Sequence, residues 1–583
     1  MTHKLLNRRG LAAAALALAA LLAGCATAPA PARREAIVTA AHPIAVAAGE
    51  EIIRAGGSAT DAAIAVMLTL GLVEPQSAGL GGGGFLLTWT PARRDLDAFD
   101  GREIAPATAG PGLFRDPETG RPYPYPLAVG SGLSTGAPSL IPMLEMAHRE
   151  HGRLPWTRLF APAIRTAEEG FAVTPRLHRI IAAMVQRGGL RDDPAARAYL
   201  LTPDGAPLPV GAALRNPRYA QSLRAIAQNG ARAMTHGPIA EEIVAVAQRG
   251  PRPGTLSLDD LAAVAPRRLD PICGAYRVYR VCSMPPPSSG GVAVLSILGL
   301  YERARPAPDG AAAIDDWAAF LWASRLAYAD RDYYVADDAF VPVPTAGLTA
   351  PAYLDARARQ IDLARAPAGI GPGDPAAIVG GVSLLGRWGR DATDETPGTT
   401  HLTVMDHDGN VAALTATIEA PFGSNRMAAG FFLNNQLTDF SLAGEIGGLP
   451  VANAPGPRKR PRSSMAPTLI FNADGDLEMA IGSPGGSAII AYVSRTIIAA
   501  LDWNLPLQEA VNVGNVVSQR RPTRIEAQRL PPGVAEGLAA RGWSLRESES
   551  EDSGLHGLRI TPNGVEAAAD PRREGVVARI PAP

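Results

Sequence analysis

The sequence carries almost no net charge. Its 55 Lys and Arg residues nearly balance 56 Asp and Glu residues over 583 positions, which gives a formal net charge of −1. Proteins that bind nucleic acid usually carry a basic excess or a basic stripe, and this sequence has neither. The composition therefore argues against a nucleic-acid partner and favours chemistry on small molecules.

Motifs for metals and cofactors are also missing. The nine His are scattered, and no C-x-x-C pair or H-E-x-x-H motif occurs, so the sequence predicts no metal ion and no cofactor. Residues 79–84 (GLGGGG) do match G-x-G-x-x-G. A dinucleotide site needs a strand before the glycines and a helix after them, whereas here a turn-like segment precedes and a strand-like segment follows. The run instead predicts close backbone packing near a core.

The N-terminal apolar run is too short for a preferred membrane span but is typical of an export signal. Basic residues precede the Ala-rich run at 11–22, which ends in Leu-Ala-Gly-Cys at 22–25. The small residues just before Cys25 resemble the end of a bacterial lipoprotein signal. The next position is Ala26, whereas an Asp at that position is associated with retention in the inner membrane. We expect a signal peptide at 1–24, a lipid on Cys25, a tether at 25–34, and a periplasmic protein anchored to the outer membrane. An ordinary cleaved signal and twin-arginine export remain alternatives.

Cysteine is scarce, and only Cys273 and Cys282 lie beyond that N-terminal segment. Export would permit a disulfide between them. However, residues 276–281 have the pattern of one strand, and nine extended steps span roughly 30 Å. A disulfide needs a Cα separation below about 7 Å. The sequence therefore favours two buried thiols.

Gly398-Thr399-Thr400-His401 is the most informative stretch of the chain. A threonine hydroxyl is a poor nucleophile unless a base lies beside it, and cutting the preceding peptide bond would supply one as an α-amine. The reference pKa of an α-amine is about 8, so a useful fraction is neutral at pH 7. The stretch predicts a precursor that cleaves itself between Gly398 and Thr399.

A hairpin pattern follows Thr399. Residues 399–405 and 411–417 have strand composition, and Asp-His-Asp-Gly-Asn at 406–410 supplies a turn. If the loop centres on Asp408, Thr417 lies opposite Thr399, with Cβ atoms roughly 5 Å apart. A second hydroxyl would then orient the first. The alternative is that threonine is simply common in strands.

The rest of the chain alternates helical and strand-like segments. A helix at 44–54 stops at two glycines, and Ser58-x-x-Asp61 predicts the capping box of a second, very apolar helix that ends near residue 72. Helical patterns dominate 141–363, and the loose, Gly- and Pro-rich segment 366–398 is the best candidate boundary. Helices on both sides of a strand-rich centre suit stacked layers.

Several motifs, in this order, resemble those of the gamma-glutamyltranspeptidases, which are N-terminal-nucleophile hydrolases. They lie at residues 81–85, 101–103 (GRE), 285–291 (PPPSSGG), 399–401 (TTH), 433–436 (LNNQ) with Asp439, 462–465 (RSSM), 482–486 and 570–573 (DPRR). The resemblance covers nearly the whole mature chain. It implies an α+β fold, a four-layer αββα sandwich, cut into a large subunit (35–398) and a small catalytic subunit (399–583) that form one folded unit.

The resemblance also implies which residues carry out the reaction. Thr399 would be the nucleophile, Thr417 its hydroxyl partner, and its freed amine the general base. Gly485 and Gly486, in a turn between a strand and a helix, would form the oxyanion hole. A phosphate cradle is the competing interpretation, but no Lys follows these glycines.

The charges of the substrate indicate which side chains its binding site needs, because a γ-glutamyl group carries an α-carboxylate and an α-ammonium. By the resemblance, Arg102 would bind the carboxylate as a fork, with hydroxyl donors from Ser463 and Ser464. Asp439 and Gln436 would bind the ammonium. Without the surrounding motifs, each residue has a plainer alternative role. Arg102 would form a surface ion pair, Ser463 and Ser464 would lie in a turn, and Asp439 would cap a helix.

Two features depart from the family pattern. Glu419 stands where well-known transpeptidases have Asn, and its carboxylate could pair with the substrate ammonium but would repel the substrate carboxylate. Residues 442–453 correspond to a lid over the site, and here that segment is short, rich in Gly and without an aromatic residue. Glu419 argues against a preference for glutathione. The short lid would admit water or bulkier acyl groups and argues against efficient transpeptidation.

The expected function is an enzyme that takes a γ-glutamyl group onto Thr399 and passes it to water, an amino acid or a peptide. One alternative is an acylase of the same fold that acts on glutaryl or cephalosporin-type amides. Another is an uncleaved, non-catalytic binding lipoprotein. The intact set of Thr399, Thr417, Gly485 and Gly486 argues against the latter.

Overall fold

The computed structural model describes residues 34–393, 395 and 398–582. The predicted signal peptide, Cys25 and all of the predicted tether except Arg34 lie outside the described residues. Within this part of the chain, no helix has the length and apolar character needed to span a membrane.

Two antiparallel sheets form the centre of the fold. The strands are β1 (Ala36–Ala40), β2 (Gly83–Thr90), β3 (Asp95–Gly101), β4 (Arg267–Leu269), β5 (Ile272–Tyr276), β6 (Tyr279–Ser283), β7 (Gly398–Met405), β8 (Val411–Glu419), β9 (Thr468–Phe471), β10 (Leu477–Gly482), β11 (His556–Thr561), β12 (Gly564–Ala569) and β13 (Val576–Ile580). The first sheet has the strand order β13-β1-β7-β8-β2-β3-β4, and the second has the order β12-β11-β10-β9-β6-β5.

Helices cover the outer face of each sheet. On the first sheet lie α1 (Pro43–Arg54), α2 (Ala59–Val73) and α3 (Leu140–His151), backed by Ala161–Glu169, Pro175–Gln186, Pro217–Asn229 and Pro238–Ala247. On the second sheet lie α4 (Gly290–Ala304) and α6 (Ile489–Leu501), and α5 (Ile314–Tyr334) packs on α4. The two sheets pack against each other through β7, β8, β10 and β11. The predicted αββα sandwich is confirmed.

Strand alternation assigns the two faces of the first sheet. Val38 and Leu414 belong to the core that includes α1 and α2, whereas Ile37 and Met405 belong to the core shared with the second sheet. Successive strand residues point to opposite faces, so Thr399, six residues before Met405, faces the second sheet. The nucleophile predicted from the sequence therefore lies in the interior between the sheets.

Helix α2 behaves as its sequence indicates. Ser58 and Asp61 form the predicted capping box, in which each side chain accepts from the other's backbone N–H. All fifteen residues of α2 are buried, as expected for a helix that is apolar all round. The glycine run before β2 leads into a strand paired with β8, with Gly83 opposite Thr417. The prediction of backbone packing, rather than a nucleotide site, matches this arrangement.

The prediction of two buried thiols is wrong. Cys273 and Cys282 form a disulfide, with their Cα atoms 4.1 Å apart. Residues 276–281 are not one strand: β5 and β6 form a hairpin that turns at Arg277, which has a φ of 54°. The chain reverses between the cysteines, so they stand opposite each other in the ladder, with Cys273 exposed.

Candidate active site

Thr399 and Thr417 face each other across the β7–β8 ladder, as predicted. The Thr399 hydroxyl donates to Thr417 Oγ1 at 3.1 Å, and the Thr417 hydroxyl donates to the Gly398 carbonyl oxygen at 2.8 Å. The Glu419 N–H donates to Thr417 Oγ1 at 2.8 Å and fixes its position. Thr417 thus links the nucleophile to the carbonyl group that self-cleavage would attack.

Gly398 has no room for a side chain. A β-carbon at this position would lie 2.1 Å from the Glu419 carbonyl oxygen, well inside van der Waals contact. Any larger residue would displace β7 from the end of β8, and the contacts between Gly398 and Thr417 would be lost. Space therefore explains why the residue before Thr399 is glycine.

Arg573 holds the Thr399 peptide from the other side. Its Nη1 donates to the Thr399 carbonyl oxygen at 2.8 Å, and its side chain is fully buried. Nη1 also lies 3.9 Å from Glu74 Oε2. Burial, with the Arg176 guanidinium nearby, lowers the pKa of Arg573. The sequence predicted no role for Arg573 beyond its place in a motif, although the contact fixes the backbone of the nucleophile.

Gly485 and Gly486 lie in the turn between β10 and α6, as the sequence indicates. Their φ angles are 138° and 57°, which L-residues with a side chain rarely adopt. Gly486 lines the same small pocket as Thr399 and Thr417. A short 3-10 turn, Gly486–Ala488, leads into α6, and the Tyr328 hydroxyl donates to the Ser487 carbonyl oxygen at 2.5 Å. This geometry is suited to an oxyanion hole.

Asp439 and Gln436 offer acceptors to the pocket. Gln436 Nε2 donates to Asp439 Oδ2 at 2.6 Å, which leaves Asp439 Oδ1 and Gln436 Oε1 buried without a hydrogen-bond partner among the described residues. Burial raises the pKa of Asp439 to about 6, against the pull of the Arg102 guanidinium. Two convergent acceptors of this kind suit a cationic group with several N–H donors.

Arg102 makes contacts that the sequence did not predict. Its Nη2 donates to Asp439 Oδ2 at 2.5 Å and to the Arg462 carbonyl oxygen at 2.6 Å, and its Nε donates to the Pro461 carbonyl oxygen at 3.0 Å. The side chain lines the pocket, but two of its three nitrogens donate to the protein, and the third, Nη1, lies 3.7 Å from Glu103 Oε2. Binding of a substrate carboxylate by Arg102 remains a prediction.

Ser463 and Ser464 line the same pocket. Ser464 Oγ accepts from Arg331 Nη2 at 2.6 Å, and Ser463 Oγ accepts from the Met465 N–H at 3.2 Å. Ser463 therefore keeps its own hydroxyl proton available to donate, whereas the Ser464 hydroxyl donates to the Glu395 carboxylate. Arg331 was not predicted from the sequence. The available signal was an arginine between two aspartates, at 330–332, near the end of an otherwise largely apolar helix.

Glu419 is engaged by neighbours. Its carboxylate accepts from the Tyr125 hydroxyl at 3.0 Å and from Asn435 Nδ2. The residue has a φ of 78° and follows a register shift after Thr417, so β8 ends here and the side chain turns into the pocket wall. Tyr125 was not predicted to take part in the site.

A side chain of the segment before the predicted cut lines the pocket. Glu395 lines it together with Thr399, Thr417 and Ser464, and its carboxylate pairs with Arg331. The remaining cavity is about 10 Å³, roughly the space of a single water molecule. Within residues 442–453, the predicted lid, Glu445–Ile446 and Leu449–Pro450 form a small hairpin with an exposed turn, whereas residues 451–453 are buried.

One other cluster has the residue types of a metal site. Asp97, Glu150 and His151 lie close together on β3 and α3. However, Arg268 pairs with Asp97 and places its Nη1 3.0 Å from Glu150 Oε2, so a guanidinium already contacts both acids. The cluster lies apart from the residues that line the Thr399 pocket.

Comparison with known proteins gives consistent results. A family model described as Gamma-glutamyltranspeptidase matches residues 45–580. The glutathione hydrolase proenzyme of Escherichia coli K12 is 34% identical over 550 residues, which cover 92% of this chain and 90% of that protein. The acylase ACY 1 proenzyme of Pseudomonas sp. SE83 is 32% identical over 547 residues, which cover 93% and 92%.

The solved structures agree with the sequence comparisons. Cephalosporin acylase from Bacillus halodurans matches with a TM-score of 0.82 and 25% identity, covering 95% of this chain and 98% of that one. The sandwich described above agrees with this match in fold. The chain belongs to the gamma-glutamyltranspeptidase family of N-terminal-nucleophile hydrolases.

Proposed function

We propose that this protein is a self-processing γ-glutamyl hydrolase and transferase with Thr399 as its nucleophile. The observation that carries the proposal is the hydrogen-bonded series from the Thr399 hydroxyl through Thr417 to the Gly398 carbonyl oxygen. This series brings the attacking oxygen, the orienting hydroxyl and the target carbonyl group together in one buried site. The family match over residues 45–580 supports the same chemistry.

Self-cleavage begins with attack of the Thr399 hydroxyl oxygen on the Gly398 carbonyl carbon. The C–N bond of that peptide breaks, the nitrogen takes up the hydroxyl proton, and an ester joins Gly398 to Thr399 Oγ1. Water then hydrolyses the ester, which leaves a carboxylate on Gly398 and a free hydroxyl and amine on Thr399. Thr417 polarises the carbonyl throughout, since its hydroxyl donates to that oxygen.

Turnover repeats this chemistry on a γ-glutamyl amide. The Thr399 amine accepts the hydroxyl proton, and Oγ1 attacks the γ-carbonyl carbon. Charge on the carbonyl oxygen would be met by backbone N–H groups of the Gly485–Gly486 turn. The leaving amine takes the proton, and water or an acceptor amine then removes the acyl group from Oγ1.

The ammonium of the γ-glutamyl group fits the acceptors of Asp439 and Gln436. Asp439 Oδ1 and Gln436 Oε1 are buried and unpaired among the described residues, and a buried acceptor without a partner costs about 1–3 kcal/mol. A bound ammonium removes that cost. This feature favours a γ-glutamyl over a glutaryl substrate, because a glutaryl group has no ammonium.

The test compares purified wild-type protein with Thr399→Ala on γ-glutamyl-p-nitroanilide. Wild type should release p-nitroaniline and show two bands on a denaturing gel. Thr399→Ala should stay full length and release none, and Thr400→Ser is the matched control that should leave both properties intact. Equal release by wild type and Thr399→Ala would refute the assignment.

A glutaryl or cephalosporin-type acylase is the second candidate function. The segment at 442–453 forms only a short hairpin and has no aromatic residue, and the similar solved structure of a cephalosporin acylase supports this candidate. Rates on γ-glutamyl and glutaryl amides separate the two. A preference for the glutaryl amide would discredit the role of Asp439.

We also propose that the protein is exported, lipidated on Cys25 and held at the periplasmic face of the outer membrane. The sequence pattern at 11–25 supports this, and the Cys273–Cys282 disulfide suits an oxidising compartment. Arg34 enters β1 at the turn end of the β7–β8 hairpin, where its N–H donates to the His407 carbonyl oxygen. Thr399 lies at the other end of β7, roughly 24 Å away at strand spacing, so a tether would leave from the end opposite the nucleophile.

Labelling of cells with an alkyne fatty acid tests the anchor. Wild type should take up label and sediment with outer membranes. Cys25→Ser should do neither, with Cys273→Ser as the matched cysteine control. A labelled Cys25→Ser protein would contradict the proposal.

A further inference from the structure

A basic cavity lies beside the segment that precedes the predicted cut. Its volume is about 430 Å³, which is within the range of ligand pockets in proteins. No described residue lines both this cavity and the Thr399 pocket. Its lining includes four arginines from three separate stretches of the chain, and we call it the arginine pocket. The four are Arg325, Arg390, Arg520 and Arg521.

Three of these arginines have no acidic partner. Among the described residues, Arg325, Arg390 and Arg521 form no ion pair, whereas Arg520 Nη2 lies 3.9 Å from Asp332 Oδ2. Burial, together with the charges of Arg521 and Arg390, lowers the pKa of Arg325 to about 10. Like charges around one space repel each other, and a bound anion would remove that repulsion.

Arg325 is held in place by neutral groups. It lies half-buried on α5. Its Nε donates to Ser518 Oγ at 2.9 Å, and its Nη2 donates to Thr523 Oγ1 at 3.2 Å. The two hydroxyls orient the guanidinium group but do not neutralise it. Within the described chain Nη1 makes no hydrogen bond, so it can donate to a ligand.

The acid in the described lining is engaged outside the cavity. Asp391 Oδ2 lies 2.8 Å from Arg462 Nη2 and accepts from Asn453 Nδ2 at 3.1 Å, and Asp391 Oδ1 accepts from the Thr393 hydroxyl at 2.7 Å. None of these three partners lines the cavity. The Arg462 guanidinium balances the charge of Asp391, so the arginine pocket keeps an excess of positive charge.

A buried amide adds an unused donor. Gln519 lines the arginine pocket and is 8% exposed. Its Nε2 is buried without a hydrogen-bond partner among the described residues, which is rare in folded proteins. Rotation about the last side-chain bond is soft for an amide and would let this N–H reach an acceptor in the cavity. The amide therefore indicates a ligand that accepts hydrogen bonds.

We propose that the arginine pocket binds a phosphate group, as inorganic phosphate or as a phosphomonoester. A phosphomonoester carries about −1.5 to −2 charges at pH 7 and three strong acceptor oxygens, and guanidinium groups bind such oxygens as forks. Donors from three stretches of the chain suit a tetrahedral anion. A carboxylate has one charge and two oxygens in one plane, so it would use fewer of these donors. The site lies outside the acyl-transfer machinery and does not depend on Thr399.

The arginine pocket spans both products of the predicted cut. Arg325 and Arg390 precede Thr399 in the sequence, and Gln519 and Arg521 follow it. A bound phosphate would contact both polypeptides. Because a ligand that binds only the folded state stabilises it, phosphate should raise the melting temperature of the protein.

Calorimetric titration of uncleaved Thr399→Ala protein at constant ionic strength tests the site. The probes are inorganic phosphate and sn-glycerol 3-phosphate. Arg325→Gln and Arg521→Gln should each weaken binding at least tenfold, while Arg546→Gln, which removes an exposed arginine elsewhere, should change nothing. Tighter binding of glycerol 3-phosphate would identify a phosphomonoester as the ligand, and equal or weaker binding would identify phosphate itself. Absence of binding for both probes would overturn the proposal.

A carboxylate introduced into the cavity separates a specific site from salt screening. Gln519→Glu places a negative charge among the arginines and should abolish phosphate binding, whereas Gln519→Leu removes only the donor and should weaken it. Phosphate should raise the melting temperature of Thr399→Ala but no longer that of Thr399→Ala/Gln519→Glu. Circular dichroism checks that each variant is folded. An equal rise produced by sodium chloride at the same ionic strength would overturn the proposal.

Activity distinguishes this site from the proposed function. Mature Arg521→Gln should turn over γ-glutamyl-p-nitroanilide within about threefold of wild type while its affinity for phosphate falls at least tenfold. Lost turnover with unchanged phosphate binding would assign Arg521 to acyl transfer and overturn the proposal. Failure of wild type to turn over any amide would refute the proposed function and leave the phosphate site standing.

Discussion

Arg102 donates to Asp439 across 2.5 Å inside the catalytic pocket, and both side chains are buried. The two residues lie 337 positions apart in the sequence, on opposite sides of the predicted cut. Each is the group that the family resemblance assigns to one charge of the substrate. The pocket therefore contains a cation and an anion that neutralise each other, and a substrate with both charges can pair with each of them.

The Arg102–Asp439 pair should show strong coupling in a double-mutant cycle. In uncleavable Thr399→Ala protein, Arg102→Met or Asp439→Leu alone leaves one buried charge without its partner, which costs about 3–5 kcal/mol. The double variant removes both charges and should be destabilised by less than the sum of the single variants. Denaturant midpoints measure each value. Strict additivity would contradict the coupling.

Thr417 should control the rate of self-cleavage. Thr417→Val removes the hydroxyl that donates to the Gly398 carbonyl oxygen, and loss of one such donor slows acyl transfer about 10²-fold. Thr417→Ser keeps the donor and should mature at close to the wild-type rate. Thr415→Val, on the same strand but bonded to His401, is the control. A time course on a denaturing gel measures the rate, and unchanged maturation of Thr417→Val would count against this role.

Glu103 should make stability fall as pH rises. It is fully buried, its oxygens have no hydrogen-bond partner within the described chain, and burial raises its pKa to about 8 against the pull of Arg102. A raised folded-state pKa gives stability that is complete below about pH 4.5 and is lost as pH approaches 8. The loss is on the order of 5 kcal/mol at 1.36 kcal/mol for each pKa unit.

Glu103→Gln removes the titrating proton and tests this directly. Unfolding free energies of Thr399→Ala and Thr399→Ala/Glu103→Gln are measured between pH 5 and 8. The gap between the two curves should shift steadily in favour of the Gln variant as pH rises. Parallel curves would show that Glu103 does not titrate in this range.

Local sequence was enough to predict the nucleophile hairpin. The register of Thr399 with Thr417 depends only on a turn at 406–410 and on strand spacing. Residues close together in the sequence determine both of these features. The capping box of α2 is local in the same sense. The layers and the substrate-binding positions came from the family resemblance, because contacts between Arg102 and Asp439 join distant segments.

The failures have equally specific causes. Arg277 turns the β5–β6 hairpin with a φ of 54°, a conformation uncommon for a residue with a side chain, so Tyr-Arg-Val-Tyr had the pattern of one continuous strand. Glu395 lies in a segment without periodicity, and its partner Arg331 comes from a helix 64 residues earlier. Pattern alone does not indicate such a contact.

The Cys273–Cys282 disulfide should stabilise the protein without affecting turnover. Its loop spans nine positions, and closing a loop of that size contributes about 2–3 kcal/mol through the unfolded chain. Cys273→Ser/Cys282→Ala should therefore unfold more readily, and reductant should lower the melting temperature of wild type but not of this variant. Activity on a γ-glutamyl amide should be unchanged, since neither cysteine lines the pocket. An equal melting temperature for both proteins would contradict the prediction.

The order of strands in the first sheet determines what a cut at Thr399 would produce. Strand β1, from the N-terminal part, lies between β13 and β7 of the C-terminal part, and β8 pairs with β2. The second sheet adds a further border between β9 and β6. The two polypeptides would thus share both sheets, so dilution alone would not separate them. Separating them would require unfolding both, and neither has a complete sheet with which to refold alone.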